Sequence, residues 1–183
     1  MARSRRVGGD KMTAMKRRRP QITVIGSARA SDEVLAIADR AGEALGRLGT
    51  IVSGGRGGIM DAVSRGAKRS GAIVVGILPG SGPEEGNDHL DVVVPTGIGL
   101  ARNMLNVLAG DVVVVIGGSA GTLNEISFAW MYGKSIVALV GAGGWGDRLA
   151  GQALDDRRTD VVERAESIED LERIVRGLLR RMD

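Results

Sequence analysis

Residues 117–125 read Gly-Gly-Ser-Ala-Gly-Thr-Leu-Asn-Glu, a run of small side chains ending in one carboxylate. It follows the apolar run Val112–Ile116 and opens a helical stretch. Backbone N–H groups at such a strand-to-helix turn point outward, and the helix end adds partial positive charge. Side chains this small let an anion approach closely, so Gly118, Ser119, Gly121 and Thr122 are the expected phosphate-binding residues. Glu125 stands one turn into the helix, and phosphate beside a carboxylate is an arrangement for nucleotide chemistry. The residues alone leave two plainer readings open. Thr122-Leu123-Asn124-Glu125 also fits a capping box, and the loop also fits a tight turn.

A second glycine-rich turn, Gly54-Gly55-Arg56-Gly57-Gly58, follows another short apolar run. Gly54, Gly55 and Gly57 are candidates for the opposite wall of the same site. Arg56 fits a salt bridge as well as a ligand contact. Arg102 sits among Leu100, Met104 and Leu105, just after Gly97-Ile98-Gly99. It is either a solvated helix residue or a guanidinium that pairs with phosphate or with Glu125.

Other chemistries fit less well. Gly55-x-Gly57-x-x places Met60 where a dinucleotide fingerprint needs its third glycine, and no acidic residue closes Ala72–Leu78 to grip a ribose. No Gly-Lys-Ser/Thr tripeptide exists for a P-loop. His89, the single histidine, lies in a charged loop and reads as exposed, which leaves neither a triad nor a zinc site. Pyridoxal chemistry needs a buried lysine, and past residue 20 only Lys68 and Lys134 occur, both in polar surroundings. Cysteine is absent, so disulfides and thiolate metal sites are excluded.

Strands and helices must alternate to place these loops. The pattern predicts strands at 21–26, 50–53, 72–78, 91–94, 111–116 and 135–140, with an edge strand at Val161-Val162. It predicts helices from Ser31 or Asp32 to about Leu48, and at 59–69, 97–109, 122–132 and 147–154. A terminal amphipathic helix starts at Ser167. Alternation of this kind implies a doubly wound α/β fold, a mostly parallel sheet with helices on both faces. Ligands of such sheets bind outside the carboxyl ends of the strands, where both glycine loops fall.

Hydrophobic residues form 43% of the 183, enough for one domain with a core, and no run suits a membrane span. The net charge of +3 is unevenly spread. Residues 1–19 carry Arg3, Arg5, Arg6, Lys11, Lys16, Arg17, Arg18 and Arg19 against Asp10 alone, so the rest is mildly acidic. This divides the chain into a basic, disordered tail over 1–19 and a single domain over 20–183. A basic arm can contact nucleic acid, but no aromatic platform accompanies it. A nucleic-acid partner is therefore not expected. Phe128 and Tyr132, at i,i+4, read as core or dimer contacts.

Gly117–Glu125 resembles the Pro-Gly-Gly-x-Gly-Thr-x-x-Glu signature of the LONELY GUY (LOG) family, members of which were often labelled lysine decarboxylases. Gly54–Met60 resembles that family's Gly-Gly-Gly-x-x-Gly-Leu-Met loop. Arg102 matches the arginine of its Arg-Lys motif, fifteen residues before Gly117. The likeness spans residues 21–141. Gly117 replaces the proline, Ser119 a glycine and Asn103 the lysine. The stretches 53–58, 76–80 and 99–103 look closer to a sister branch. That branch holds the molybdenum cofactor carrier proteins and bacterial relatives, some described as related to the DNA-processing protein DprA.

The resemblance implies a Rossmann-like fold and a phosphate site shared by the two glycine loops. It implies Arg102 and Glu125 as the catalytic pair of a nucleoside 5′-monophosphate phosphoribohydrolase. That reaction releases base and ribose 5-phosphate through an oxocarbenium-like state, without metal or organic cofactor. Carriers of the sister branch bind a phosphorylated pterin without transforming it. The alternative is thus a non-catalytic carrier or sensor of such a pterin or of a nucleotide. A cytoplasmic homodimer, joined through the helices after the loop, completes the expectation.

Overall fold

In a computed structural model, residues 18–182 are described. β-Branched residues crowd at χ1 in a helix and pack well on a pleated sheet, and the Val/Ile runs accordingly form strands. These are β1 (Gln21–Gly26), β2 (Thr50–Ser53), β3 (Val74–Leu78), β4 (Val92–Pro95), β5 (Val112–Ile116), β6 (Ser135–Leu139) and β7 (Glu163–Ala165). They make one seven-stranded sheet in the order β4-β3-β2-β1-β5-β6-β7, and every pairing is parallel. The helices are α1 (Asp32–Gly46), α2 (Ile59–Arg69), α3 (Arg102–Ala109), α4 (Ala120–Met131), α5 (Gly144–Leu149) and α6 (Ile168–Arg181).

Alternate residues of β5 serve opposite cores. Val112, Val114 and Ile116 join Ala41 and Leu45 of α1, Val63 of α2 and Val175 of α6. Val113 and Val115 join Val107 of α3 and Ile126 and Trp130 of α4. The doubly wound expectation therefore holds. Strand order turns around between β1 and β5, so the loops leaving these two strands diverge and open a crevice at their carboxyl ends.

Most boundaries fall close to expectation, and the departures have local causes. The helix expected at 97–109 starts at Arg102, preceded by one 3-10 turn, Gly99–Ala101. Gly97 and Gly99 lie at φ 67° and 58°, a left-handed geometry that breaks the helix before Arg102. α4 begins two residues earlier than expected, at Ala120. α5 covers 144–149 rather than 147–154. Val162 pairs with the preceding segment, its N–H donating to Gln152 O and its carbonyl accepting from Gly151. The edge strand consequently starts at Glu163, opposite Val137.

Arg18 pairs with Asp111, and Arg19 donates to the carbonyl of Gly46, so both basic residues contact the body. The remaining residues of the expected tail, 1–17, lie outside the described ones. Among the described residues no helix is long and apolar enough to cross a membrane.

Candidate ligand-binding site

The turn after β5 delivers the chain into α4 with Ser119 at the cap position. The N–H groups of Ala120, Gly121 and Thr122 form the helix's first turn, whose donors have no intrahelical acceptor. They donate to no other group among the described residues. Ser119 makes no capping bond through its side chain. Because α4 starts at Ala120, Thr122 is inside the first turn. Its hydroxyl is buried without a hydrogen-bond partner. The capping-box reading of Thr122–Glu125 therefore fails: Glu125 turns inward, away from the helix start.

Glu125 is 7% exposed and Arg102, the first residue of α3, is 8% exposed. Arg102 Nη1 lies 3.7 Å from Glu125 Oε1, an ion pair rather than a hydrogen bond. Asn106, one turn further along α3, donates through Nδ2 to the same oxygen at 3.0 Å. Arg102 makes no hydrogen bond to any described residue, and its Nε is buried and unpartnered. Burial pulls its pKa down; Glu125 opposes that shift and Arg56 adds to it. Burial also pushes the Glu125 carboxyl up to about 7, against the opposing influence of Asn106 and then Arg102.

Gly54, at the end of β2, explains how Arg102 fits. A Cβ there would stand 2.5 Å from Nη1, 2.6 Å from Nη2 and 2.8 Å from Met60 Sδ. Both terminal nitrogens of the guanidinium abut this floor of backbone, which only glycine leaves bare. Arg56, two residues after Gly54, pairs with Glu85 at 3.9 Å.

A cavity of about 170 Å³ is lined by Gly54, Arg56, Met60, Leu100, Arg102, Asn103, Ser119, Gly121, Thr122 and Glu125, together with β1 residues and Ala28. It brings together Gly54, Ser119, Gly121, Thr122, Arg102 and Glu125 from the sequence expectation. It does not include Gly55, Gly57 or Gly118. Gly55 faces Leu78 and Gly76 under the sheet edge. Gly57 stands in open space. Gly117 and Gly118 are roofed by the first turn of α5, where Trp145 N–H donates to Gly118 O at 3.1 Å and Gly146 N–H to Gly117 O at 2.8 Å. They line a second cavity of about 250 Å³ with Ser27, Arg29, Ser31 and Gly144.

Sequence reasoning missed Asn106 and Thr23. Thr23, fully buried in β1, donates its hydroxyl to the Asn106 carbonyl at 2.7 Å and anchors that turn of α3. The signal was present: a polar residue four positions after Arg102, on the same helix face. His89 is half-buried beside Asp61 at 3.8 Å, rather than exposed. Lys68 pairs with Asp91, and Lys134 donates to the carbonyls of Leu108 and Gly110. Both lysines thus lie at the amino-terminal edge of the sheet, opposite the cavity.

A family model described as the SLOG cluster4 family matches residues 19–172. The chain belongs to this SLOG family. An uncharacterized protein of Archaeoglobus fulgidus is 39% identical over 120 residues, covering 65% of this chain and 79% of its own length. Among solved structures, the molybdenum cofactor binding protein of Rippkaea orientalis superposes with a TM-score of 0.78 at 30% identity. That match covers 90% of this chain and 99% of the other. The molybdenum cofactor carrier protein of Chlamydomonas reinhardtii gives 0.78 at 29% identity, over 89% and 99%. In this SLOG protein, α4 and α3 supply the polar side of the cavity, and Gly54, just after β2, supplies the floor beside Arg102.

Proposed function

We propose that this SLOG protein is a carrier or sensor of a small phosphorylated ring compound, a phosphorylated pterin or a nucleotide. The phosphate sits on the first turn of α4, against Thr122 and Arg102. One observation carries the reading: a buried guanidinium with no hydrogen-bond partner faces a helix start whose N–H groups are also free. A buried charge without hydrogen bonds is costly, and an anion placed between the two groups satisfies both. The names of the two solved relatives, a cofactor binder and a cofactor carrier, support the choice of a pterin. Gly54, Ser119 and Gly121 keep the anion's approach open. Gly55, Gly57 and Gly118 act on this reading only by shaping the loops.

Hydrolysis is the second reading, favoured by the position of Glu125 one turn beyond the free N–H groups. A nucleoside 5′-monophosphate held there by phosphate would bring its ribose toward the carboxyl. Water would add to the anomeric carbon as the bond to the base breaks, and the base would leave with a proton. An ionised Glu125 stabilises the oxocarbenium-like state or takes the proton of the water.

The experiment is one incubation read two ways. The protein is mixed with AMP, with modified adenylates and with a phosphorylated pterin. Native mass spectrometry follows retention, and chromatography follows released base. Retention without release supports the carrier. Release that Glu125→Gln abolishes supports the hydrolase. Neither retention nor release across the panel would remove both readings. A cytoplasmic homodimer whose contact lies on α3 and α4 accompanies either, with 20–183 as the ligand-binding domain.

A further inference from the structure

Three buried polar atoms around Glu125 have no partner: Arg102 Nε, Thr122 Oγ1 and Asn106 Oδ1. The first two are accounted for by an anion in the cavity. Asn106 Oδ1 is not, because an anion offers it no hydrogen. It is the acceptor end of an amide whose donor end, Nδ2, bonds the Glu125 carboxylate, and among the described residues nothing donates to it. An amide in that place suits a carboxyl group that changes its protonation state. With Nδ2 forward it donates to the carboxylate. Turned over, Oδ1 accepts from the protonated acid. The backbone need not move, because Thr23 holds the Asn106 carbonyl from β1.

We infer that Asn106 is a positioning residue that lets Glu125 take up one proton when a phosphate-type anion occupies Arg102. This rests on the reading of the cavity as an anion site. The balance is simple: the incoming dianion takes over the guanidinium, Glu125 loses its counter-charge and gains a negative neighbour, and a proton from solvent neutralises it. The groups that face Glu125 are few. Arg102 and Asn106 come from α3, Thr122 from its own helix, and Arg56 reaches toward Arg102 from the turn after β2. Among the described residues no second carboxylate lines the cavity to take the proton instead.

The sign follows from linkage. Glu125 in the free protein titrates near 7, and the bound form titrates higher. Below 7 both forms carry the proton and affinity is flat. Above 7 the free form is ionised, and affinity falls up to about tenfold per pH unit until the bound form also ionises. Ligand is thus held at lower pH and released as pH rises.

Sulfate is the probe, because it is a tetrahedral dianion that does not itself titrate near neutrality. Calorimetric titration of the full chain with sulfate at about pH 8 is run in two buffers of different ionisation heat, which reports proton uptake. Uptake of roughly half a proton to one proton per sulfate is expected. Glu125→Gln should bind sulfate with no uptake and no pH dependence above 7. Asn106→Leu removes the donor that holds the free carboxylate, so the pH at which affinity begins to fall should move upward; a merely structural asparagine would leave that pH in place. Sulfate binding with no proton uptake in the unaltered protein overturns the inference while the anion site stands. No sulfate binding at millimolar concentration overturns the site itself, and this inference with it.

Discussion

Two opposing influences meet at Glu125. Burial raises its proton affinity, while Asn106 and Arg102 lower it, and burial dominates. The folded protein therefore binds a proton at pH values where the unfolded chain has lost it. Between the ordinary carboxylate value of 4.5 and about 7, stability contributed by this group falls as pH rises. The whole effect is roughly 3 kcal/mol. Urea unfolding of the unaltered protein and Glu125→Gln at pH 5 and at pH 8 isolates it, since every other group is common to both. The variant should gain on the parent by kcal-scale amounts at the higher pH; parallel pH dependences would refute the shift. Gly54 makes the companion case. Gly54→Ala places a methyl where the guanidinium rests, and Arg102 must leave its position over the floor. Sulfate affinity should drop roughly tenfold to a hundredfold, the worth of a charge-assisted contact. Unchanged affinity would mean that Arg102 does not touch the anion.

At the level of elements, the loops hold their places because helices pack with unusually little between them. α1 and α2 meet through Gly42 and Gly66. A Cβ on Gly66 would run into the Asp39 carbonyl oxygen, and one on Gly42 into the Val63 carbonyl oxygen. In an isolated helix Gly→Ala gains about 1 kcal/mol. Here Gly66→Ala should instead cost roughly 2 kcal/mol or more, because backbone cannot yield as a side chain can. Urea midpoints decide the sign. Periodicity made most elements legible: β2 and α2 lie where the Val/Ile run and the apolar face put them, and Ser31 caps α1 as its position before Asp32 suggested. Arg102 and Glu125 were legible as a pair through the motifs that resemble the LOG family, whereas local pattern alone left a solvated arginine and a capping glutamate open. What stayed hidden was long-range. Nothing local says that the Gly117-Gly118 half of the signature is roofed by the first turn of α5. Nor does local pattern reveal that Thr122 falls inside α4, a matter of where the left-handed Gly117 and Gly118 release the chain. Asn106 was visible as a polar residue one turn after Arg102 but had no partner until α3 met α4.

At the scale of the whole molecule, two groups of exposed apolar side chains stand out among the described residues. One is the outer face of α3 and α4 with the turn before them, where Leu100 is 79% exposed and Leu108, Met131 and Tyr132 also face outward. The other is the β4 edge, with Ile73, Val92 and Val94. Contiguous apolar surface of this kind marks contact sites. The two differ in what they adjoin. Leu100 also lines the cavity that holds Arg102 and Glu125, and a groove of about 420 Å³ continues from it past Asn103, Asn124 and Phe128. A second copy seated on α3 and α4 would close the side of the ligand site, whereas one on β4 would leave the site untouched. The homodimer proposed above uses the first face. Tyr132→Asp combined with Met131→Asp should therefore yield a monomer in sedimentation velocity, and Val94→Asp should not. If the β4 change dissociates the protein while the α4 changes do not, the sheet edge is the interface. The cavity then belongs to each protomer alone, and its affinity for sulfate will be the same at every protein concentration.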